Sequence, residues 1–192
     1  IPNFISFNEK MGTVAFLVSI NDTLIFEYYD EEHNKDMVSN SFSMAKTVVS
    51  LLIGIAVEEG RIKSLDDPIT TYLPELNTPN SSKVKIRHLL QMAGSSEWDE
   101  SAKNIFSDNA SAYYGSDLKS LVFSKGFSDK PGEVFDYKSG ETQFLTYIIE
   151  NVYGQSLSSV VEEKIWIPMK MSSPAYWSTD GDDGDEKGYC CL

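Results

Sequence analysis

The segment from Ser43 to Glu59 constrains the fold of this chain more than any other part of the sequence. Apolar residues occupy nearly every side of the helix that it predicts, and Gly60 follows as a stop signal. A helix that is apolar all round is buried, so we expect the chain to fold around it. A polar stripe crosses this helix at spacings of three, four and seven residues: Ser43, Lys46, Thr47 and Ser50. Because a charge on a buried helix is costly, we expect Lys46 to have a partner or a chemical task.

Ser43 and Lys46 form a Ser-x-x-Lys pattern at the start of this helix. The first N–H groups of a helix favour a developing negative charge, and a lysine one turn later can reach the serine hydroxyl and take its proton. Ser43 is therefore a candidate activated nucleophile. The alternative is that Ser43 only caps the helix and Lys46 is a surface charge. Short matches of this kind are common by chance, so the pattern alone leaves both interpretations open.

A β-hairpin precedes this helix, and mostly helical structure follows it. The apolar stretch 13–29 is interrupted by Asn21 and Asp22, which is typical of two strands joined by a tight turn. We predict further helices near 66–68, at 86–93, 117–124, 139–152 and 156–165, with a long loop at 95–115 and an acidic, turn-rich stretch at 172–187. The fold class is α+β, with a hairpin and loop in 1–40 and the helical region in 41–192. Because a lone hairpin is marginal in water, we expect strands of the same sheet to be missing.

A second group of candidate site residues follows the turn at Pro131 and Gly132. Tyr137 is placed where its hydroxyl can project into a cleft, and Ser139 can donate a hydrogen bond there. The alternative is that Ser139 caps the following helix and Tyr137 packs against it. Three aromatic residues of the 95–115 loop either line a substrate pocket or anchor the loop to the core: Trp98, Tyr113 and Tyr114.

Composition and charge exclude several classes of function. The net charge of −13 would repel nucleic acid and anionic lipid, and no apolar run is long enough to span a bilayer. His33 and His88 lack the neighbours of a zinc site, and we expect no metal and no cofactor. The acidic residues at 180, 182, 183 and 185 miss the EF-hand pattern, which favours a solvated turn over a calcium site. Cys190 and Cys191 are adjacent and exclude a disulfide framework, so we expect two packing thiols.

Taken together, the motifs resemble the serine β-lactamase and penicillin-binding-protein superfamily, in its class C β-lactamase and esterase branch. The resemblance is carried by Ser43 to Lys46 and, along the chain in the same order, by the stretches 57–60, 65–68, 72–74, 86–94, 131–139 and 148–154. The Tyr-x-Ser form at Tyr137 and the stretch 186–191 are most similar to the 6-aminohexanoate-dimer hydrolase group.

The resemblance implies roles for individual residues. Ser43 would be the acylated nucleophile, Lys46 would help to take its proton, and Tyr137 would shuttle protons to and from the leaving group. Ser139 stands where β-lactamases usually carry Asn, which favours ester or amide cleavage over β-lactam recognition. Ser139 would contact the substrate, and from the aromatic residues of the 95–115 loop we assign Trp98 to substrate contact as well. The backbone N–H of Ser43 would supply one oxyanion donor.

The resemblance also implies that the chain corresponds to the N-terminal portion of a β-lactamase/transpeptidase-like domain. The second oxyanion donor and the third motif of the family lie beyond it, so we expect the active site to be completed by a C-terminal half of the same domain or by another copy of the chain. The expected substrate is a small amide or ester. The alternatives are a penicillin-binding module that is acylated with little turnover, and a non-catalytic relative. The family slightly favours a periplasmic or secreted location over the cytoplasm.

Overall fold

The computed structural model describes residues 3–182 and 184–192, and the chain divides into two compact units between Ser39 and Asn40. The first unit contains one helix and two antiparallel strands: α1 Phe4–Met11, β1 Ala15–Ile20 and β2 Thr23–Tyr29. Asn21 and Asp22 both adopt a left-handed backbone, with φ of 49° and 60°, as a two-residue hairpin turn requires. The predicted hairpin is therefore confirmed, whereas α1 was not predicted.

An aromatic cluster holds α1 against its hairpin. The Phe4 ring packs edge-on against Phe16, Phe26 and Tyr28, with ring centroids 5.1, 5.2 and 5.9 Å away. Edge-to-face pairs of this kind add to the stability gained from burial alone. The hairpin still exposes large apolar side chains, among them Leu17 and Ile25, each more than half accessible to solvent.

The second unit contains six helices in its described part. They are α2 Ala45–Glu58, α3 Ile86–Leu90, α4 Asp108–Tyr114, α5 Leu118–Phe123, α6 Ser139–Tyr153 and α7 Leu157–Val161. Helix α6 lies at the centre and packs against α2, α3, α5 and α7. The core is formed mainly by aliphatic residues that are almost fully buried, including Leu52, Ile53, Leu89, Val122, Ile148 and Val160.

Most predicted helices are present, with two corrections. The 95–115 stretch was predicted as loop, but α4 occupies its second half, and the Ser107 hydroxyl caps this helix by accepting the N–H of Ala110 at 3.1 Å. The segment after Pro68 forms only a single 3-10 turn, Ile69–Thr71. The last predicted helix continues from α7 into a π-helical turn, Glu162–Trp166.

Helix α2 is buried on one side only, which corrects the expectation drawn from its apolar sequence. Ala45, Val49 and Leu52 are inaccessible to solvent. The opposite side exposes a line of residues at helical spacing, namely Thr47, Leu51, Gly54 and Glu58. Helix α2 therefore carries more apolar side chains than the second unit buries.

Cys190 and Cys191 are joined by a disulfide bond, not present as the two free thiols we expected. The backbone at this pair is fixed by two hydrogen bonds: Cys190 donates its N–H to the carbonyl of Lys187 at 2.9 Å, and the indole of Trp177 donates to the carbonyl of Cys190 at 3.0 Å. As for membranes, none of the described helices has both the length and the apolar character needed to cross a bilayer.

Candidate active site

Ser43 lies in a short 3-10 turn, Phe42–Met44, directly before α2. The turn is held by the Asn40 side chain, which accepts the N–H of Phe42 at 2.7 Å. Phe42 has a φ of 46°, a conformation that side chains with a Cβ adopt rarely. Ser43 makes no cap contact with α2, whose cap residue is Met44. The structure therefore does not support the alternative that Ser43 acts as a helix cap.

Two polar side chains converge on the Ser43 hydroxyl. The Lys46 Nζ lies 3.2 Å from Ser43 Oγ, and the Tyr137 hydroxyl donates to the same oxygen at 2.8 Å. The Lys46 Nζ also lies 5.0 Å from the centre of the Tyr137 ring. The structure thus brings together three of the site residues predicted from the sequence, including two that are 94 positions apart. In this arrangement either neighbour, once it has lost its own proton, is placed to take the proton of the serine hydroxyl.

Lys46 has a further partner that the sequence analysis missed. Its Nζ donates to the backbone carbonyl of Tyr189 at 2.6 Å and lies 5.8 Å from the centre of the Tyr189 ring. Tyr189 is buried, and this burial raises the pKa of its hydroxyl above the usual range. The contact spans 143 residues and uses a main-chain oxygen, so no sequence motif could have indicated it. Lys46 is therefore held on two sides, by Ser43 and by Tyr189.

The turn before Tyr137 is fixed against the end of α3. Gly132 donates its N–H to the carbonyl of Ala93 at 2.7 Å, and Asp136 donates to the carbonyl of Met92 at 2.8 Å. Gly132 has a φ of 94°, and a Cβ there would lie 3.0 Å from the His88 ring, so only glycine suits this position. The His88 Nδ1 accepts the N–H of Lys85 at 3.2 Å, so this ring supports the start of α3.

The structure places Ser139 and Trp98 differently from the prediction that both contact substrate. Both side chains are buried, and both bind the carboxylate of Glu100. The Ser139 hydroxyl donates to Oε1 at 2.7 Å, while the Ser139 N–H and the Trp98 indole donate to Oε2 at 2.7 and 2.9 Å. Trp98 also packs on Gly140, where any Cβ would collide with the indole ring. The polar groups of both residues are thus committed to Glu100, a site neighbour that the sequence analysis missed.

A second carboxylate joins the same two segments. Glu141 of α6 is inaccessible to solvent and accepts the N–H of Gly94 at 2.9 Å and the N–H and hydroxyl of Ser96, both at 3.2 Å. Burial raises the pKa of Glu141 above its usual range, and these hydrogen bonds oppose the rise. Glu100 and Glu141 together fix the 94–100 segment to the start of α6, directly after Tyr137.

A cleft of about 300 Å³ opens beside the nucleophile turn. Its lining includes Phe42, which precedes Ser43, and Ser101, which follows Glu100. Helix α4 closes the other side and contributes Tyr113 and Tyr114, both exposed. Of the three aromatic residues considered for a pocket, these two therefore line a cleft, whereas Trp98 is a core residue.

Among residues 3–182 and 184–192, no group of three or more His, Cys, Asp or Glu side chains is arranged to hold a metal ion. Asp180, one of the acidic residues weighed for calcium, instead binds backbone: it accepts the N–H of Leu118 at 2.6 Å and that of Asp185 at 2.7 Å. Asp183, from the same stretch, lies outside the described residues.

Most of the chain matches one family model and proteins related to that family. The family model described as Beta-lactamase matches residues 4–189. The chain is 25% identical over 183 residues to the 6-aminohexanoate-dimer hydrolase of Paenarthrobacter ureafaciens, covering 90% of this chain and 46% of that protein. It is 27% identical over 158 residues to a candidate penicillin-binding protein, PbpX, of Bacillus subtilis (strain 168), covering 80% of this chain and 38% of that protein.

A solved structure described as a candidate 6-aminohexanoate-dimer hydrolase from Bacillus anthracis superposes on this chain with a TM-score of 0.87 at 26% identity. The match covers 98% of this chain and 52% of that one. The chain therefore spans about half the length of the relatives that it matches, or less. The fold expected from the resemblance, a β-lactamase/transpeptidase-like N-terminal portion, is confirmed.

Proposed function

Because this chain belongs to the Beta-lactamase family, we propose that it supplies the nucleophile of a serine hydrolase that cleaves small amides or esters through an acyl-enzyme. The observation that carries the proposal is the convergence of Lys46 and Tyr137 on one oxygen, Ser43 Oγ, at 3.2 and 2.8 Å. A helix cap or a solvated surface charge needs no such convergence.

In the proposed reaction, Ser43 Oγ attacks the substrate carbonyl carbon and its proton passes to Lys46 or Tyr137. The new oxygen–carbon bond yields a tetrahedral oxyanion, for which the Ser43 N–H is one donor. The Tyr137 hydroxyl then gives a proton to the leaving amine or alcohol as its bond to the carbonyl carbon breaks. Water hydrolyses the acyl-enzyme, and the proton returns to Ser43 Oγ. The carbonyl of Tyr189 keeps the Lys46 amine in place during these steps.

The relatives support this proposal at the level of hydrolysis. One is named as a hydrolase of 6-aminohexanoate dimers, which contain an amide bond between two units. Since the chain spans less than half of that protein, the remainder of the oxyanion hole and of the substrate pocket is proposed to come from residues outside the chain.

A second function, a penicillin-binding module, has one observation in its favour, the similarity to the candidate penicillin-binding protein of Bacillus subtilis. Both functions use the same nucleophile and differ in the rate at which the acyl-enzyme is hydrolysed. Steady turnover supports the hydrolase, whereas a single rapid burst followed by a stable acyl-enzyme supports the binding module.

The test is the hydrolysis of a p-nitrophenyl ester by the full-length protein and by its Ser43→Ala variant. We expect the substitution to lower kcat by roughly three to six orders of magnitude, as removal of other serine nucleophiles does. The matched control is Ser41→Ala, because the Ser41 hydroxyl lies in the same segment but donates only to the Phe42 carbonyl. Near-normal turnover in Ser43→Ala would refute the proposal.

A further inference from the structure

Cys190 and Cys191 form a disulfide bond between neighbouring residues, directly after a residue that contacts the candidate active site. They are the two cysteines of the chain. The bond closes a small ring that includes the peptide group between them, so it restricts the backbone at this point. Cys191 has a φ of 70°, in the left-handed region that residues with a Cβ adopt rarely. The ring therefore holds a backbone conformation that an open chain tends to leave.

The backbone on the N-terminal side of this pair holds Lys46. The carbonyl of Tyr189 accepts a hydrogen bond from Lys46 Nζ at 2.6 Å, and this carbonyl belongs to the peptide group that joins Tyr189 to Cys190. Lys46 Nζ in turn lies 3.2 Å from Ser43 Oγ. A rotation of the backbone at Cys190 therefore moves the acceptor that keeps Lys46 beside the nucleophile.

The backbone on the C-terminal side of the pair holds the turn that contains Ser43. The carbonyl of Leu192, the residue after Cys191, accepts the N–H of Ser41 at 3.0 Å. The carbonyl of Ser41 accepts the N–H of Met44 at 3.2 Å and so closes the turn around Ser43. The disulfide thus lies between two backbone carbonyls, one on each side, that fix the surroundings of the Ser43 hydroxyl.

The environment of the pair decides which reagents can reach it. Its own carbonyls are bound by the preceding segment: the Trp177 indole donates to Cys190 at 3.0 Å, and the Ser178 N–H donates to Cys191 at 2.9 Å. Only 6% of Cys190 and 4% of Cys191 are accessible to solvent. Because thiol–disulfide exchange depends on access to sulfur, we expect reaction with small thiols rather than with proteins.

We propose that Cys190 and Cys191 are a redox modification site, which switches the proposed hydrolase between an active disulfide form and a less active dithiol form. The reagent that acts on the disulfide is a small thiol compound, and the reagent that restores it is a small disulfide. This inference rests on the proposed serine hydrolase function and adds its regulation.

The chemical step is thiol–disulfide exchange. A thiolate of the reagent attacks one sulfur of the pair, the bond between the two cysteine sulfurs breaks, and a mixed disulfide with the reagent forms. A second thiolate of the reagent then attacks the reagent's sulfur in this mixed disulfide and displaces the cysteine thiolate. The reagent leaves as a disulfide, and the pair has gained two electrons and two protons.

The dithiol form loses the ring, and Cys191 can then leave the left-handed region. The carbonyls of Tyr189 and Leu192 lose their fixed positions, and with them Lys46 and the nucleophile turn lose a support on each side. A misplacement of about 1 Å at a reacting group costs up to about a hundredfold in rate. We expect an intermediate effect here, roughly tenfold, because Tyr137 still contacts Ser43.

The test compares the rate at which a fluorophosphonate labels Ser43 in the two redox forms of the full-length protein. One sample is reduced with dithiothreitol and the other is kept with glutathione disulfide, and both are desalted without oxygen before labelling. We expect the reduced sample to react roughly tenfold more slowly, and glutathione disulfide to restore its rate. Peptide mass mapping after iodoacetamide treatment follows the pair: both cysteines are alkylated in the dithiol form and neither in the disulfide form.

The matched variant is Cys190→Ser/Cys191→Ser, which keeps side chains of similar size but cannot form the bond. We expect it to react with the fluorophosphonate at the slow rate, with or without dithiothreitol. A variant that reacts as fast as the oxidised wild-type protein, or that responds to dithiothreitol as the wild type does, would overturn the inference. If the variant does not fold, the redox cycle of the wild-type protein decides.

In that cycle, an unchanged or faster reaction of wild-type protein whose pair is mapped as dithiol contradicts the inference. So does a slower reaction while the pair is still mapped as disulfide. Failure of the proposed function is recognised separately, because the fluorophosphonate then labels Ser43 in neither redox form.

Discussion

Helices α2 and α6 pack against each other and each begins beside a residue of the candidate active site, and the more apolar of the two is the more exposed. Helix α2, which begins just after Ser43, leaves Leu51 53% accessible on its open side. Helix α6, which begins two residues after Tyr137, buries every residue from Ser139 to Ile149, including the polar residues Glu141, Thr142, Gln143 and Thr146. The comparison teaches that burial is decided by available partners as well as by hydrophobicity.

The partners of α6 are specific. Glu141 is paired with Gly94 and Ser96, Gln143 donates to the Glu186 carbonyl at 2.9 Å, and the Thr146 hydroxyl donates to the carbonyl of Thr142 at 3.3 Å. Buried polar groups are tolerated when they are hydrogen-bonded in this way. The open side of α2, which includes the apolar side chain of Leu51, lacks a covering element in the described part of the chain.

After loss of Ser43 itself, the largest effect is expected at Tyr137, which lies just before the start of α6. Tyr137→Phe removes the hydroxyl that donates to Ser43 Oγ but keeps the aromatic ring. We expect kcat to fall by roughly two to four orders of magnitude, the contribution usual for proton transfer by a positioned side chain. Steady-state kinetics of the full-length protein measure it, with Tyr176→Phe, an exposed residue that does not line the cleft, as the control for loss of a tyrosine hydroxyl. A decrease of less than threefold would show that Tyr137 is not needed for proton transfer.

The two sides of α2 should differ in their contribution to stability. Leu52→Ala empties a buried position and should lower the free energy of unfolding by about 2–5 kcal/mol. Leu51→Ala, at the neighbouring exposed position, should lower it by less than about 1 kcal/mol in this chain. Urea denaturation measures both values. Equal losses would mean that the open side of α2 is covered in solution.

A similar contrast is expected between two glutamates. Glu141→Ala in α6 leaves the N–H groups of Gly94 and Ser96 without their acceptor and should cost about 1–3 kcal/mol of unfolding free energy. Glu58→Ala, on the exposed side of α2, should be neutral within about 0.5 kcal/mol. Thermal unfolding of the pair tests this, and a neutral Glu141→Ala would show that its hydrogen bonds give no net stability.

The smallest expected effect is a pH dependence that comes from the C-terminal part of α6. The pKa of Glu150 is raised to about 7, chiefly by burial and further by the negative charges of Glu186 and Asp185. A hydrogen bond from the Leu157 N–H and the positive charge of Lys119 oppose this rise. Between pH of about 4.5 and 7, the Glu150 carboxyl therefore keeps its proton in the folded protein and loses it in the unfolded chain. Stability should fall as the pH rises from there to about 7, by on the order of 1–2 kcal/mol.

Glu150→Gln should abolish this loss, so the variant should gain stability relative to the wild type as the pH rises through that range. Urea denaturation across the range measures the difference, with Glu133→Gln, an exposed position, as the control. An unchanged pH profile in Glu150→Gln would show that Glu150 ionises normally in the folded protein.

The sequence predicted the features that depend on local patterns. The Asn21–Asp22 turn follows from the residues that tolerate a left-handed backbone, and the end of α6 follows from Gly154, whose φ is 66°. Helix α4 was missed because its polar and aromatic residues show no helical spacing of apolar positions, although Ser107 is a recognisable N-cap residue. The motifs also predicted that Ser43, Lys46 and Tyr137 share one site, and the structure places their side chains together.

What sequence reasoning could not provide depends on contacts between distant segments. Glu100 binds a residue 39 positions away, and Lys46 binds a carbonyl 143 positions away. Neither contact leaves a periodic or compositional signal. For the same reason the side chains of Ser139 and Trp98 were assigned to substrate, whereas the structure commits their polar groups to Glu100.

The central claim, that Ser43 is an activated nucleophile, is tested most directly by intact mass spectrometry after treatment with a fluorophosphonate. The full-length protein and its Ser43→Ala variant are treated in parallel. The account predicts one added phosphonyl group on the wild-type protein and none on the variant, because Ser43 has both Lys46 and Tyr137 at its hydroxyl. An unmodified wild-type protein, or equal modification of both proteins, would contradict it.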